Sequence, residues 1–358
     1  MIWFMAPDLP EASGGTKILY RIVEELESAG YPARVWHGTS GLTYSSFEST
    51  AKVRYGLTLD LHPGDVLVMH EVGGPHWSFL AGASPVVMLC QGWSFVFQDI
   101  AVDDRLNAGY PGWPRVTDVL ATSRYVERTV RAMSGPGLPV HRVPVVVEPA
   151  TFQPGPKRRT VAFMPRRRRL EITAALQILR RRGQLAGWTF EPIDGLTERQ
   201  VGRRLGEAAI FVSGAEREGF GLPAAEAMAA GCYVVGFTGD GGAEFMDPSV
   251  CTVVHDSDVL SLADGIAAAA DLFDNDRASY DATVRGAEVR IVETYNRTQM
   301  RSALVQAFDQ ICAAGSPALV RTPTQVPHYQ SHAPRPGLAH AAYRQARHVV
   351  GRVLDSRR

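Results

Sequence analysis

With 358 residues, 45% of them hydrophobic, and 37 basic against 37 acidic side chains, the chain is long enough to bury a large core and is expected to form two domains. Zero formal net charge gives no global attraction to nucleic acid or an acidic polymer, so any basic function has to be local. Cys90, Cys232, Cys251 and Cys312 are scattered without metal-ligand spacing and read as reduced thiols of a cytoplasmic protein. The apolar start Met1–Ala6 lacks the basic flank and the length of a signal peptide. No run reaches the roughly 18 apolar residues of a membrane span. Lysine is nearly absent (Lys17, Lys52, Lys157) while arginine is abundant, which fits the coding bias of a GC-rich bacterial genome.

In chain order, Ile2–Ala6 reads as a buried strand, followed by a loop with Gly14-Gly15 and an amphipathic helix over Thr16–Ala29 closed by Gly30. Tyr31–His37, Asp65–His70, Pro85–Cys90 and Val119–Thr122 are short apolar runs of the kind buried in a parallel sheet, and Ser123 opens a helix over Arg124–Met133. A proline-rich stretch from Val143 to Pro156 reads as a linker. The alternation then restarts. Strands are expected at Thr160–Met164, Thr189–Ile193, Ile210–Val212 and Tyr233–Gly236, and helices at Leu170–Arg182, Glu198–Ala208, Glu226–Ala230, Val259–Leu272 and Arg277–Tyr295. This pattern predicts an α/β chain of two Rossmann-like, doubly wound domains, 1–145 and 146–315, facing across a cleft that holds the ligands. Residues 316–358 form a proline-rich segment and then a basic amphipathic stretch, Leu338–Leu354, suited to peripheral contact with an anionic membrane or to packing on the first domain.

The most informative stretch is Ser213–Gly231. It leaves a strand, passes Glu218-Gly219-Phe220-Gly221-Leu222-Pro223 and enters a helix carrying Glu226, with seven residues between the two glutamates. Glycines there let backbone approach a ligand, and a helix start offers free amides to an anion. This run resembles the E-x7-E signature of glycosyltransferase family 4, whose fold is GT-B and whose members transfer sugars with retention of anomeric configuration. The resemblance implies that Glu218 faces the donor sugar, that Phe220, Gly221 and Leu222 contribute backbone contacts, and that Glu226 holds the ribose hydroxyls.

The same resemblance gives meaning to Arg166, Arg167, Arg168 and Arg169, which end the first strand of the second domain, where the family places basic side chains on the donor diphosphate. Guanidinium groups bind phosphate oxygens bidentately and offset charge growing on a leaving group. The family's usual arginine-then-lysine spacing is absent here, and Arg166 and Arg168 are taken as the catalytic pair, with Arg167 and Arg169 as further donor contacts. Gly15 and Glu244 are the remaining donor-side candidates. On the acceptor side stand His70, His76, Gln91 and Trp93. Gln91 occupies the place of a family histidine that meets the sugar 6-hydroxyl, which leaves room for a 6-deoxy hexose.

The expected reaction moves a sugar from a nucleoside diphosphate donor, UDP- or dTDP-linked, to a glycan or small-metabolite acceptor, with no cofactor. Asp256-Ser257-Asp258 and Asp274-Asn275-Asp276 have the form of a metal-binding pair but sit where Asp and Asn cap helices, so donor binding without a metal is expected. A GT-B hydrolase or epimerase of nucleotide sugars and a catalytically silent binding relative are the alternatives.

Overall fold

The computed structural model describes residues 1–72, 85–97, 110–111, 116–313 and 324–325. His76 and the basic amphipathic stretch Leu338–Leu354 lie outside them. The first lobe contains β1 (Ile2–Met5), α1 (Gly14–Ser28), β2 (Ala33–His37), β3 (Val53–Tyr55), β4 (Thr58–Leu59), β5 (Val66–His70), β6 (Val86–Cys90), α2 (Trp93–Val96), β7 (Val116–Ala121), α3 (Arg124–Met133) and β8 (Val140–Arg142). The second contains β9 (Arg158–Phe163), α4 (Arg169–Arg181), β10 (Thr189–Pro192), α5 (Glu198–Glu207), β11 (Ala208–Glu218), α6 (Leu222–Ala229), β12 (Tyr233–Asp240), β13 (Thr252–Val253), α7 (Val259–Asn275) and α8 (Arg277–Thr294), and is followed by α9 (Arg297–Ala313). Residues 324–325 pair antiparallel with β4.

Both main sheets are parallel. The first runs β3-β2-β1-β5-β6-β7-β8 and the second β10-β9-β11-β12-β13. Every residue of β5 and β6 is buried, as a parallel sheet covered on both faces requires. The strand order reverses between β1 and β5 in the first lobe and between β9 and β11 in the second. At such a switch point the following connections leave in opposite directions, and a crevice opens beyond the carboxyl ends of the strands.

α1 starts earlier than the sequence suggests. Ser13 caps it by accepting from the Thr16 amide at 3.0 Å, so Gly14 and Gly15 form its first turn rather than a loop. Its buried face carries Ile18, Leu19, Ile22, Val23 and Leu26 at helical spacing. β11 is longer than its apolar run. Ser213, Gly214 and Ala215 carry little hydrophobic signal, yet their backbone pairs with Gly236, Phe237 and Thr238 of β12, and Glu218 pairs with Asp240 beyond a register shift.

α9 departs from the expected domain boundary, which placed residues 146–315 in the second lobe. Met300, Leu304, Ala307, Phe308 and Ile311 form its buried stripe. Phe308 meets Phe4 of β1 at 6.4 Å and Tyr31 at 6.2 Å between ring centroids, so the helix packs on the first lobe. The chain therefore crosses between lobes twice, at the linker after β8 and on entering α9. Because Phe308 is fully buried, Phe308→Ala is expected to lower stability by about 3–5 kcal/mol, read as a shift in the urea unfolding midpoint.

Candidate active site

The two switch-point crevices face each other and merge into one interlobe cavity of about 490 Å³. Its first-lobe wall is the α1 start, the end of β5 (His70, Glu71) and the turn after β6 (Gln91, Gly92); its second-lobe wall is the Arg166–Arg167 turn and the stretch from Arg217 to Glu226. A second pocket of about 240 Å³ continues from it into the second lobe, between Ile193–Leu196 after β10 and Phe211–Ala215 of β11.

The lobes touch across Gly219. A Cβ built there would lie 1.5 Å from the Gln91 carbonyl oxygen, so only glycine fits. Gly221, at φ +93°, then turns the chain through the left-handed region into α6, with Pro223 near the helix start. Glu218 ends β11, and its Oε1 lies 3.2 Å from Arg167 Nε. The Arg167 N–H is not aimed at that oxygen, so the contact is an ion pair rather than a directed hydrogen bond.

Glu226 lies beyond the first turn of α6 and is 6% exposed, which removes simple stabilisation of the helix dipole as its reason for being there. Its Oε1 accepts from Lys17 Nζ of α1 at 2.7 Å, and Lys17 also donates to Glu198 of α5 at 2.9 Å. Burial raises the Glu226 carboxyl above the ordinary carboxylate range and Glu198 adds to this, while Lys17 opposes both. Burial also works against the Lys17 ammonium, but the two carboxylates outweigh it and hold its pKa above the usual lysine value.

On the first-lobe wall, Gln91 is fixed three ways. Its amide donates to Glu71 Oε1 at 3.0 Å, its side-chain Nε2 donates to the Gly15 carbonyl at 3.1 Å, and its own carbonyl backs onto Gly219. Its Oε1 is buried and accepts no hydrogen bond from the described residues. Burial pushes the Glu71 carboxyl up to about 7, against its own amide and those of Gln91 and Gly92, and pushes buried His70 down to about 4. The amides of Gly14 and Gly15 precede the first internal bond of α1, from Lys17 N–H to the Ser13 carbonyl, so that helix end offers amides to an anion.

Comparison with known proteins agrees with this geometry. Residues 193–282 match the family model described as "Glycosyl transferases group 1". Over 95 residues, the chain is 42% identical to an alpha-1,6-glucosyltransferase of Actinobacillus pleuropneumoniae serotype 7, a match covering 25% of this chain and spanning only 29% of that relative's length. A sucrose-phosphate synthase from Thermosynechococcus elongatus superposes with a TM-score of 0.65 at 14% identity, covering 88% of this chain and 99% of that one. HepE of Anabaena, solved with UDP and glucose, gives 0.62 at 13% identity, over 86% and 99% of the two chains. The chain has the GT-B fold.

Within the GT-B cleft, the sequence candidates Gly15, His70, Gln91, Arg166, Arg167, Glu218, Phe220, Gly221, Leu222 and Glu226 all line the interlobe cavity. Phe220 does so by its backbone, its ring being packed at 5.0 Å from Phe245 and 4.8 Å from Tyr295.

Four candidates lie elsewhere among the described residues. Arg168 was paired with Arg166 as catalytic, but it takes φ +43° as the cap of α4, which swings its side chain away from the cavity. There it stacks 4.3 Å over Phe237 and pairs with Asp256 at 2.9 Å. Arg169 begins α4 and is exposed. The Trp93 indole donates across the lobes to Asp240 at 2.9 Å. Glu244 accepts from the Arg124 amide at the start of α3 at 2.6 Å and from Tyr295 at 2.8 Å, joining the lobes rather than facing the cavity.

The Asp-x-Asp pairs serve helices and surface contacts. Asp258 accepts from the Ser261 amide and Asp276 from the Ser279 amide, while Asp274 pairs with Arg159. Among the described residues no cluster of His, Cys, Asp and Glu is placed to hold a metal ion, and no helix is long and apolar enough to cross a membrane.

Sequence reading missed Lys17, Glu71, Glu198 and the Ile193–Leu196 pocket. The available signals were a lysine retained beside a diglycine in an arginine-rich chain, an acid directly after a buried strand, and a loop at a strand's carboxyl end.

Glu71 carries a pH signature. Its pKa is about 7 in the folded chain against an ordinary 4.5, so the folded state keeps a proton that the unfolded state releases between those values. Stability then falls as pH rises from 4.5 to about 7 and levels off above. Glu71→Gln has no such proton to release and is expected to gain on the wild type by up to about 3 kcal/mol at about pH 8 and little at about pH 5, measured by urea unfolding at both.

Proposed function

We propose that the chain is a retaining glycosyltransferase that moves a hexose from a nucleoside diphosphate donor to a hydroxyl of a glycan or small metabolite. One observation carries this reading: the motif acids Glu218 and Glu226, the Arg166–Arg167 turn and the amide ends of α1 and α6 converge on one interlobe cavity at the switch points of both sheets. The base enters the second-lobe pocket at Ile193–Leu196, the ribose reaches Glu226, and the diphosphate lies between Arg166, Arg167 and the helix amides. The sugar then lies between Glu218 and Gln91, with the acceptor entering along the His70–Glu71 wall.

These groups supply positive charge where the leaving diphosphate gains negative charge, so the reading calls for no metal. The sugar–phosphate bond breaks on the face where the acceptor arrives, and a leaving phosphate oxygen takes the acceptor proton. Arg166 and Arg167 replace Arg166 and Arg168 as the electrostatic pair. Among the described residues no donor reaches the Gln91 Oε1, and a sugar hydroxyl would satisfy it, which favours UDP-glucose over a 6-deoxy hexose as the first donor to test. The likeness of a 95-residue stretch of the chain to an alpha-1,6-glucosyltransferase points the same way.

The test is a thermal-shift and calorimetric screen with UDP, dTDP and GDP, then donor turnover with and without candidate acceptors. A nucleotide present at about 100-fold its Kd is expected to stabilise the protein by about 2.7 kcal/mol, a rise of a few degrees in Tm. Glu226→Ala should abolish that rise. Arg166→Ala with Arg167→Ala should erase the preference for the diphosphate over the nucleoside, and Glu218→Ala should lower kcat more than donor affinity. Acceptor-independent turnover would indicate a hydrolase or epimerase, and absence of any nucleotide binding would overturn the reading.

A further inference from the structure

Lys17 belongs to the first lobe, but both of its carboxylate partners, Glu226 at 2.7 Å and Glu198 at 2.9 Å, belong to the second. Its side chain is 12% exposed, so the three charges meet with little water around them. Among the described residues only Oε1 of Glu226 is engaged, which leaves Oε2 for a ligand. We propose that Lys17 is the positioning residue for Glu226: it orients the carboxylate that receives the nucleotide ribose, and so makes nucleotide binding by the second lobe depend on docking of the first. This rests on the reading of Glu226 as the ribose carboxylate.

The surroundings show why Lys17 can do this. α5, which carries Glu198, is held to the first lobe at its start: the Glu198 amide donates to the Ser46 carbonyl at 2.8 Å and Arg199 pairs with Glu48 at 2.7 Å. One turn along α1 from Lys17, Arg21 lies 3.5 Å from Glu198 and 3.1 Å from Glu148 in the linker between lobes. Arg297, the first residue of α9, pairs with the same Glu148 at 2.7 Å and with Glu25 of α1 at 2.7 Å. The ribose carboxylate is thus joined by consecutive ion pairs to both places where the chain crosses between lobes. A shift of one lobe against the other has to move Lys17 relative to Glu226.

The experiment is a double-mutant cycle on UDP binding, by calorimetry, with Lys17→Met, Glu226→Ala and the pair. Lys17→Met is expected to weaken UDP roughly tenfold or more on its own and to add nothing in the Glu226→Ala background. Lys17→Arg should recover most of the affinity. With 2′,3′-dideoxyuridine diphosphate, which has no ribose hydroxyls, the Lys17→Met loss should vanish. Should Lys17→Met fail to fold, Lys17→Gln carries the same cycle.

Additive losses, or an equal loss with UDP and the dideoxy nucleotide, would make Lys17 a mere lobe fastener and overturn the proposal. So would a Lys17→Met protein binding UDP as the wild type does while Glu226→Ala is impaired. If Glu226→Ala itself binds UDP normally, the ribose assignment falls, and the Lys17 proposal with it.

Discussion

The backbone of Gly219 rests on the carbonyl of Gln91, with no space for a Cβ between them. Through that contact the second-lobe acid motif is referenced to the first-lobe wall, because Gln91 is itself held by Glu71 and by the Gly15 carbonyl. A larger residue at 219 would separate the lobes, or displace the turn that places Glu218 before it and Gly221 after it. The cavity therefore depends on a backbone-to-backbone approach. Side chains along the seam, such as Trp93 to Asp240 and the Arg124 amide to Glu244, reinforce an orientation already set by sterics.

Ion pairs also cross the seam, and they differ in kind. Arg199 and Glu48 are 81% and 86% exposed, so water and salt screen their attraction and the pair contributes little to stability. Glu226 is buried and Lys17 and Glu198 are mostly covered, and there desolvation takes back most of the Coulomb gain but an unpaired charge is strongly unfavourable. Such a cluster adds modestly to net stability and strongly restricts geometry. That suits a seam beside a ligand site, where register between lobes matters more than the strength of their association.

The two α/β units and the acid motif were legible because each rests on local pattern: short apolar runs, a glycine turn, a helix start. Which arginine faces the cleft was not, since Arg167 and Arg168 differ by the backbone turn at φ +43° that gives one to Glu218 and the other to Phe237 and Asp256. The length of β11 was hidden because Ser213–Ala215 are chosen for closeness to β12 and the Arg167 turn rather than for hydrophobicity; an added Cβ at Gly214 would meet the Arg167 carbonyl at 3.0 Å. The domain boundary was drawn at 315 because no helix was read over 297–313, and nothing local tells that this segment, α9, packs back on the first lobe. Lys17 escaped notice because its partners lie 181 and 209 residues away in sequence.

The pairing of these charges also bears on how the proposed transfer handles its proton. Glu218 lies against Arg167, and Glu226 is bonded to Lys17. A cation thus occupies part of each carboxylate, and Glu226 keeps only Oε2 for a ligand. Each motif acid is placed to hold a hydroxyl by accepting from it, and on the proposed reading neither has to deprotonate the acceptor. Glu71, the other glutamate on the cavity wall, stands in the first lobe with Oε1 already occupied by the Gln91 amide. On the proposed reading, the departing phosphate is the base nearest the reacting carbon, and its basicity rises as the bond to the sugar breaks. Arg166, Arg167 and the helix amides must then stabilise that phosphate without quenching it, a balance that several partial contacts shared among its oxygens meet better than one tight ion pair.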